Sequence, residues 1–355
     1  MNVVLKILMK MKLSVFKYSK IILIFFLYNY YSFCPEKIGK FNYKKKNIMV
    51  ALCTMGKKEN LYAREFMNYY MNLGVDHMFI YDHNSPFTEK IEDVLDKKYK
   101  KKITFYETQK LNISCQKEAF TNCYENNKNN FDWFIMVDMD EYLYIIKDSL
   151  KNYLNDEVFN KCDFIKIHWM NSRDNNLLYY EPKPLFKRFK KPYIKSKYIK
   201  SIIRGNIPNL KYWVHSPYIS PFNNVTCTNE GKIINYTNIN FEFIDNINIK
   251  RAYIIHFRFK STEEFIAKYK RGYSNWHGNE INDVMKERLS TYFKENGINL
   301  KKVNYIEREL KLNLSSYKEK IFSKELKANN INYLVLLFLI SLCSCKLKFF
   351  LKKNV

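Results

Sequence analysis

From residue 47 onward the chain alternates short apolar runs with stretches in which apolar residues return every three or four positions. Residues 48–53 form an apolar run of strand length. Residues 59–73 repeat with helical spacing and stop at Gly74, a residue suited to the left-handed cap that ends a helix. The same alternation predicts a strand over 77–81, a helix over 88–99, a strand over 103–106, a helix over 114–126 and a strand over 133–137. Strand and helix in strict turn imply an α/β fold with a mainly parallel sheet and right-handed crossovers.

Beyond residue 150 the apolar runs shorten and loops rich in Pro and Asn separate them. Strands are expected over 163–168, 184–189, 198–204 and 252–259, continuing the sheet and building the acceptor side of a cleft. From 261 to about 326 the pattern is helical, opened by Ser261 and Glu264 in the spacing of a capping box. Two apolar stretches flank this body. Residues 21–33 follow a lysine-rich start and read as a signal-anchor, and residues 331–345 precede Lys346, Lys348, Lys352 and Lys353. This predicts a single-pass or two-pass membrane protein with its middle across the membrane, facing the Golgi or ER lumen in a eukaryotic cell.

The chemistry concentrates where the fourth strand ends. Trp133-Phe134-Ile135-Met136-Val137 is followed at once by Asp138, Asp140 and Glu141. Carboxylates at the carboxyl end of a buried strand sit where open α/β sheets bind ligands. Residues at i and i+2 of an extended chain point the same way, so Asp138 and Asp140 can converge on one hard cation while Glu141 turns aside. A solvated acidic turn that merely ends the strand is the competing reading. The chain has no G-x-G-x-x-G and no G-x-x-x-x-G-K-[ST], which argues against dinucleotide cofactors and P-loop chemistry.

With 355 residues, 47% of them hydrophobic, 29 Tyr and 27 Phe, the chain can bury a sizeable core and is not a disordered protein. The net charge of +25 invites a nucleic-acid reading. It is discounted, because the excess is mostly Lys spread along the whole length, alongside heavy use of Asn, Ile and Tyr. Eight cysteines show no C-x-x-C pair and no zinc spacing; they permit disulfides without requiring them.

Further motifs stand in a consistent order between residues 47 and 275. Lys58-Glu59-Asn60 leads into Glu65-Phe66-Met67-Asn68-Tyr69-Tyr70 and Leu73-Gly74-Val75. Ile80-Tyr81-Asp82-His83-Asn84-Ser85 and Gln116-Lys117-Glu118-Ala119-Phe120 precede the core Asp138-Met139-Asp140-Glu141-Tyr142-Leu143. His168-Trp169, Asp174-Asn175-Asn176, Lys200-Ser201-Ile202-Ile203-Arg204 and the loop around His215 come next. The set closes on Ile255-His256-Phe257-Arg258-Phe259-Lys260-Ser261, Glu264-Phe265, Lys268 and Arg271-Gly272. With these motifs the chain resembles glycosyltransferase family 92 and its bacterial relatives in surface-polysaccharide synthesis, enzymes of the GT-A fold with an Asp-x-Asp-Glu core. It departs from them in the first loop, which reads Gly56-Lys57-Lys58-Glu59 where Lys-Asn-Glu is usual, and at Tyr70 and Phe257, where the family usually has His and Tyr.

The resemblance implies a GT-A domain over 47–275, between a basic tail with signal-anchor at 1–35 and a helical extension at 276–330, with the last hydrophobic segment at 331–355. It implies transfer of a hexose, galactose-type favoured, from a UDP-sugar donor to a glycan acceptor with inversion, assisted by Mn²⁺ or Mg²⁺. Asp138, Asp140 and His256 are the expected metal ligands. Asp174, with Glu141 as competitor, is the expected base for the acceptor hydroxyl. Glu59, Asp82, Asp138, Lys200, Arg204, Lys268 and Arg271 are expected to bind the nucleotide-sugar, and Trp169 is placed to stack on a sugar face or in the core. A non-catalytic glycan-binding or scaffold protein with the same fold is the rival reading, and no nucleic-acid partner is expected.

Overall fold

The structure, a computed structural model, describes residues 47–328 apart from 192, 213–214, 219–223, 235–242 and 272–280. The strands are β1 (Val50–Gly56), β2 (His77–Asp82), β3 (Ile103–Glu107), β4 (Trp133–Met136), β5 (Glu141–Ile145), β6 (Phe164–Asn171), β7 (Ile194–Arg204), β8 (Lys211–Tyr212), β9 (Pro217–Tyr218), β10 (Thr226–Thr228), β11 (Ile233–Ile234) and β12 (Ala252–His256). The helices are α1 (Asn60–Leu73), α2 (Gln116–Asn127), α3 (Leu150–Leu154), α4 (Leu185–Arg188), α5 (Thr262–Lys270), α6 (Ile281–Asn296), α7 (Leu300–Leu310) and α8 (Ser315–Ala328).

Ten strands form one mixed sheet with the order β11-β10-β6-β7-β4-β1-β2-β3, and β12 bridges β6 and β5. The β3-β2-β1-β4 half is parallel, as the strand–helix alternation predicts, and β7 enters antiparallel between β4 and β6. All four residues of β4 are buried, because the sheet carries an apolar layer on each face. One layer gathers Leu52, Phe66, Tyr70, Ile135 and Tyr142; the other gathers Cys53, Phe120, Tyr124, Phe134 and Ile203. A third apolar cluster, including Phe265, Leu289, Tyr292, Phe293 and Ile306, joins α5, α6 and α7.

Local chemistry explains most element ends. Helix α1 stops at Gly74, whose φ of 106° is open to glycine and strained for other residues. Helix α5 starts with the capping box read from the sequence: the Ser261 hydroxyl accepts from the Glu264 amide, and the Glu264 carboxylate accepts from the Ser261 amide. Gly205, after β7, lies so close to the Phe131 carbonyl that a Cβ there would collide with it. Disulfides Cys53–Cys123 and Cys162–Cys227 tie β1 to α2 and the start of β6 to β10.

Three expectations are corrected. The helix expected over 88–99 is two short 3₁₀ turns, Ile91–Val94 and Lys97–Lys102, the second made of lysines around one tyrosine with no apolar face to bury. The strand expected over 184–189 is helix α4, whose Leu185 amide is received by the Glu65 carboxylate of α1 at 2.9 Å. Finally, among the described residues no helix is long and apolar enough to cross a membrane. That finding counts against the single-pass or two-pass membrane expectation; the two stretches on which it rested, residues 21–33 and 331–345, lie outside the described residues.

Candidate active site

Strand β4 ends at Met136, and a tight turn carries the chain through Asp138 and Asp140 into β5. The Asp138 amide donates to Glu141 Oε2 at 2.9 Å and the Glu141 amide to the Asp138 carbonyl at 3.0 Å, which folds the Glu141 side chain back beneath Asp138. Lys200, on β7, reaches between the two: its Nζ lies 3.0 Å from Asp138 Oδ1 and 3.6 Å from Glu141 Oε2. Gln116, the first residue of α2, donates to the same Asp138 oxygen.

Asp140 faces the other way. Its Oδ2 accepts from Lys268 Nζ of α5 at 2.5 Å, and its Oδ1 lies 3.6 Å from His256 Nε2 at the end of β12. Burial pushes all three carboxyls up, and the neighbours decide the outcome. Lys200 holds Asp138 below its ordinary value, and Lys268 with His256 holds Asp140 well below it. Glu141 ends well above the carboxylate range, because burial and the Asp138 charge together exceed the help from Lys200. His256 is pulled down by burial in spite of the Asp140 carboxylate beside it. Its ring lies 4.3 Å from that of Trp169, and its Nδ1 has no hydrogen-bond partner among the described residues.

Lys268 also lines a cavity of about 370 Å³ beside this edge, shared with Lys58, Lys260 and Arg271 and bounded by Tyr62 and Tyr180. The cations are held from behind. Arg271 donates to the carbonyls of Lys57, at 2.7 Å, and Lys58, and to the Glu59 carboxylate, which also lies 3.7 Å from Lys260 Nζ. Glu59, Glu263 and Glu264 line the same cavity, with Glu59 held by Arg271 and Glu264 by Arg188, so the four cations leave a modest positive excess that suits an anionic group carrying its own cation.

The donor set fits a divalent ion in part. Asp140 Oδ1 and His256 Nε2, 3.6 Å apart, are the pair that would hold such an ion. Among the described residues no group of three His, Cys, Asp or Glu forms a cage by itself, and Asp138 Oδ1 is taken by Lys200 and Gln116. Magnesium-like ions bind this way, through one or two protein ligands with water and phosphate oxygens completing the shell.

The structure thus brings together Asp138, Asp140, Glu141, Lys200, His256 and Lys268, with Glu59 and Arg271 beside them. Three other expected residues are engaged in contacts of their own. Arg204 lies opposite Trp133, at the start of β4 and away from its acidic end; its guanidinium sits over the Trp133 ring and donates to the carbonyls of Cys162 and Phe159. Asp82 caps its own turn, accepting from the amides of Asn84 and Ile91 at 2.9 and 2.8 Å. Asp174 accepts from Tyr292 Oη and Lys302 Nζ, each at 2.6 Å, and from the Asn176 amide, so it ties the end of β6 to α6 and α7. The sequence reading passed over Lys260 and Gln116 as site residues. The signal for Lys260 was its place directly before the capping box, and for Gln116 its place at the first position of a helix.

A family model described as glycosyltransferase family 92 matches residues 46–293. A protein of Oryza sativa subsp. japonica described as a glycosyltransferase family 92 protein is 27% identical over 126 residues, covering 34% of this chain and 21% of that one. A protein of Ricinus communis with the same description is 25% identical over 113 residues, 30% of this chain and 20% of that one. The chain therefore spans about a fifth of the length of these curated relatives. The crystal structure of S. aureus TarS aligns with a TM-score of 0.26 at 14% identity, over 44% of this chain and 28% of that one, a likeness too distant to carry an argument.

Proposed function

The chain belongs to glycosyltransferase family 92, and on that premise we propose that it is an inverting hexosyltransferase of the GT-A fold, using a UDP-hexose donor, a glycan acceptor and a divalent ion of the manganese or magnesium type. The observation that carries the reading is Asp140, held between the His256 imidazole and the Lys268 ammonium at the mouth of a cation-lined cavity. Breaking the bond between hexose and diphosphate sends an electron pair onto the diphosphate, and positive groups fixed in advance lower that barrier most. Lys58, Lys260, Lys268 and Arg271 supply such groups.

The ion, held by Asp140 and His256, would act as a Lewis acid toward the leaving diphosphate. Lys268, which pairs with Asp140 and lines the cavity, would hold the phosphates. Asp138, fixed by Lys200 and Gln116, is available to the ribose. The acceptor oxygen attacks the anomeric carbon from the face opposite the diphosphate, and its proton must pass to a base. Neither expected carboxyl fits that role as it stands: burial and the Asp138 charge hold Glu141 well above the carboxylate range, and both oxygens of Asp174 are engaged.

The test is UDP release by the full-length chain against a panel of UDP-sugars, with Mn²⁺ or with EDTA, beside Asp140→Ala. Metal-dependent release from one donor, falling about 10²–10³-fold in the variant, is the expected result. A folded protein that neither binds nor turns over any donor would mark it as a non-catalytic member.

A further inference from the structure

Buried polar side-chain atoms normally find partners, so those that do not call for an explanation. Among the described residues several such atoms gather at one place. Glu141 Oε1, His256 Nδ1, Asn171 Oδ1 and Trp169 Nε1 are all buried and all lack a hydrogen-bond partner.

Strand register explains their meeting. On β12, His256 is paired with Glu141 of β5 on one side and with Asn171 of β6 on the other. Residues paired across a ladder project from the same face, so the three side chains form a row across three strands. Two strand spacings make that row about 10 Å wide. Trp169, two residues before Asn171, lies on the same face with its ring 4.3 Å from that of His256. At the row's end the Asn171 amide nitrogen donates to Glu295 Oε2 of α6 at 3.4 Å, which fixes the amide with its Oδ1 free to accept. The row therefore offers acceptors and donors in alternation beside an aromatic ring and carries no formal cation of its own. That is the chemistry of a neutral polyol, whose hydroxyls both give and take hydrogen bonds, and it contrasts with the cation-lined cavity on the far side of Asp140.

We infer that the row Glu141–His256–Asn171, with Trp169, binds the hydroxyl groups of a pyranose ring, and that Asn171, steadied by Glu295, is a specificity-determining residue. The inference rests on the transferase reading above and adds the subsite that reads the sugar. A site built to satisfy a hydroxyl rejects the analogue that lacks it far more strongly than an apolar pocket does, because its polar groups are left unpaired.

The test is titration calorimetry of the full-length chain with UDP, UDP-galactose, UDP-glucose and UDP-N-acetylglucosamine, with transfer and donor hydrolysis measured in parallel. If the row holds the donor's hexose, the unmodified chain binds one UDP-hexose more tightly than UDP. Asn171→Ala then weakens that sugar about tenfold and leaves UDP unchanged. If the ring belongs to the acceptor, Asn171→Ala leaves UDP-hexose binding and hydrolysis unchanged and raises KM for the saccharide acceptor. Glu295→Gln, altered farther from the core, should give a smaller shift of the same kind, and it stands in should the Asn171 variant fail to fold. Unchanged sugar-over-UDP preference and unchanged acceptor KM in a folded variant would overturn the inference while leaving the transferase intact. An unmodified chain that binds neither UDP nor any UDP-sugar would remove the transferase reading first, and the inference with it.

Discussion

Asp140 and Asp174 are both buried carboxylates facing a lysine ammonium, at 2.5 Å from Lys268 and 2.6 Å from Lys302, yet their surroundings are opposite. Around Asp174 the accounts close: Tyr292 and the Asn176 amide take the remaining lone pairs, and Lys302 also reaches Asn176 Oδ1 and the Asn296 carbonyl while only 2% exposed. Around Asp140 they stay open. Among the described residues His256 Nδ1 and Glu141 Oε1 have no partner, and Lys268 is 19% exposed at the mouth of a cavity. A closed cluster resists rearrangement, since any exchange leaves a buried charge behind. An open one can trade a lysine for a ligand. Burial and a charged partner therefore do not separate a site from a brace; unmet hydrogen-bonding capacity beside a cavity does.

The strongest way to break this comparison is Asp174→Ala. Removing one partner of the closed pair leaves Lys302 buried and should cost about 3–5 kcal/mol of stability, read as a lower denaturation midpoint, whereas Asp140→Ala should move the midpoint far less. Equal losses would end the distinction. Next is Tyr292→Phe, which removes one hydrogen bond to a charged group and should cost about 1.5–3 kcal/mol, leaving UDP-sugar binding unchanged. A variant that keeps its melting temperature but loses donor affinity would instead return Asp174 and its partner to the active site.

The smallest effect sharpens the comparison with a third buried amine. Lys166 faces the hydroxyls of Ser201, at 3.0 Å, and Ser216, and burial pulls its pKa down to about 7. Its folded pKa lies below the unfolded value, so between pH 7 and about 10.5 the unfolded chain binds the extra proton and stability rises with pH. The slope is at most about 1.4 kcal/mol per pH unit. Thermal melts from pH 7 to 9 should climb in the unmodified chain and flatten in Lys166→Met; parallel curves would show that the amine stays protonated in the fold.

What the sequence disclosed follows the reach of each interaction. Periodicity and caps are local, so α1 with Gly74 and α5 with its Ser261–Glu264 box were legible, as was the buried strand delivering Asp138 and Asp140. Residues 185–188 misled because their form depends on a distant partner, Glu65, which receives the Leu185 amide; the stretch 97–102 misled because lysines around one tyrosine do not sustain the helix that the preceding apolar spacing suggests. Asp174 resembled a loop base because Tyr292 and Lys302 lie 118 and more residues away. Asn171 gave no signal, since its meaning comes from a register shared with β12 and from a helix beginning at Ile281.

The Asp174 brace bears on where this protein can be cut. The family match ends at residue 293, one residue beyond Tyr292, while Asn296 and Lys302 lie past it. A clone trimmed to the match would discard the Asn296 side chain that accepts the Asp174 amide and the ammonium that neutralises its carboxylate, along with Val303 and Ile306 of the third apolar cluster. The stretch by which the chain is classified is shorter than the stretch that packs together with it.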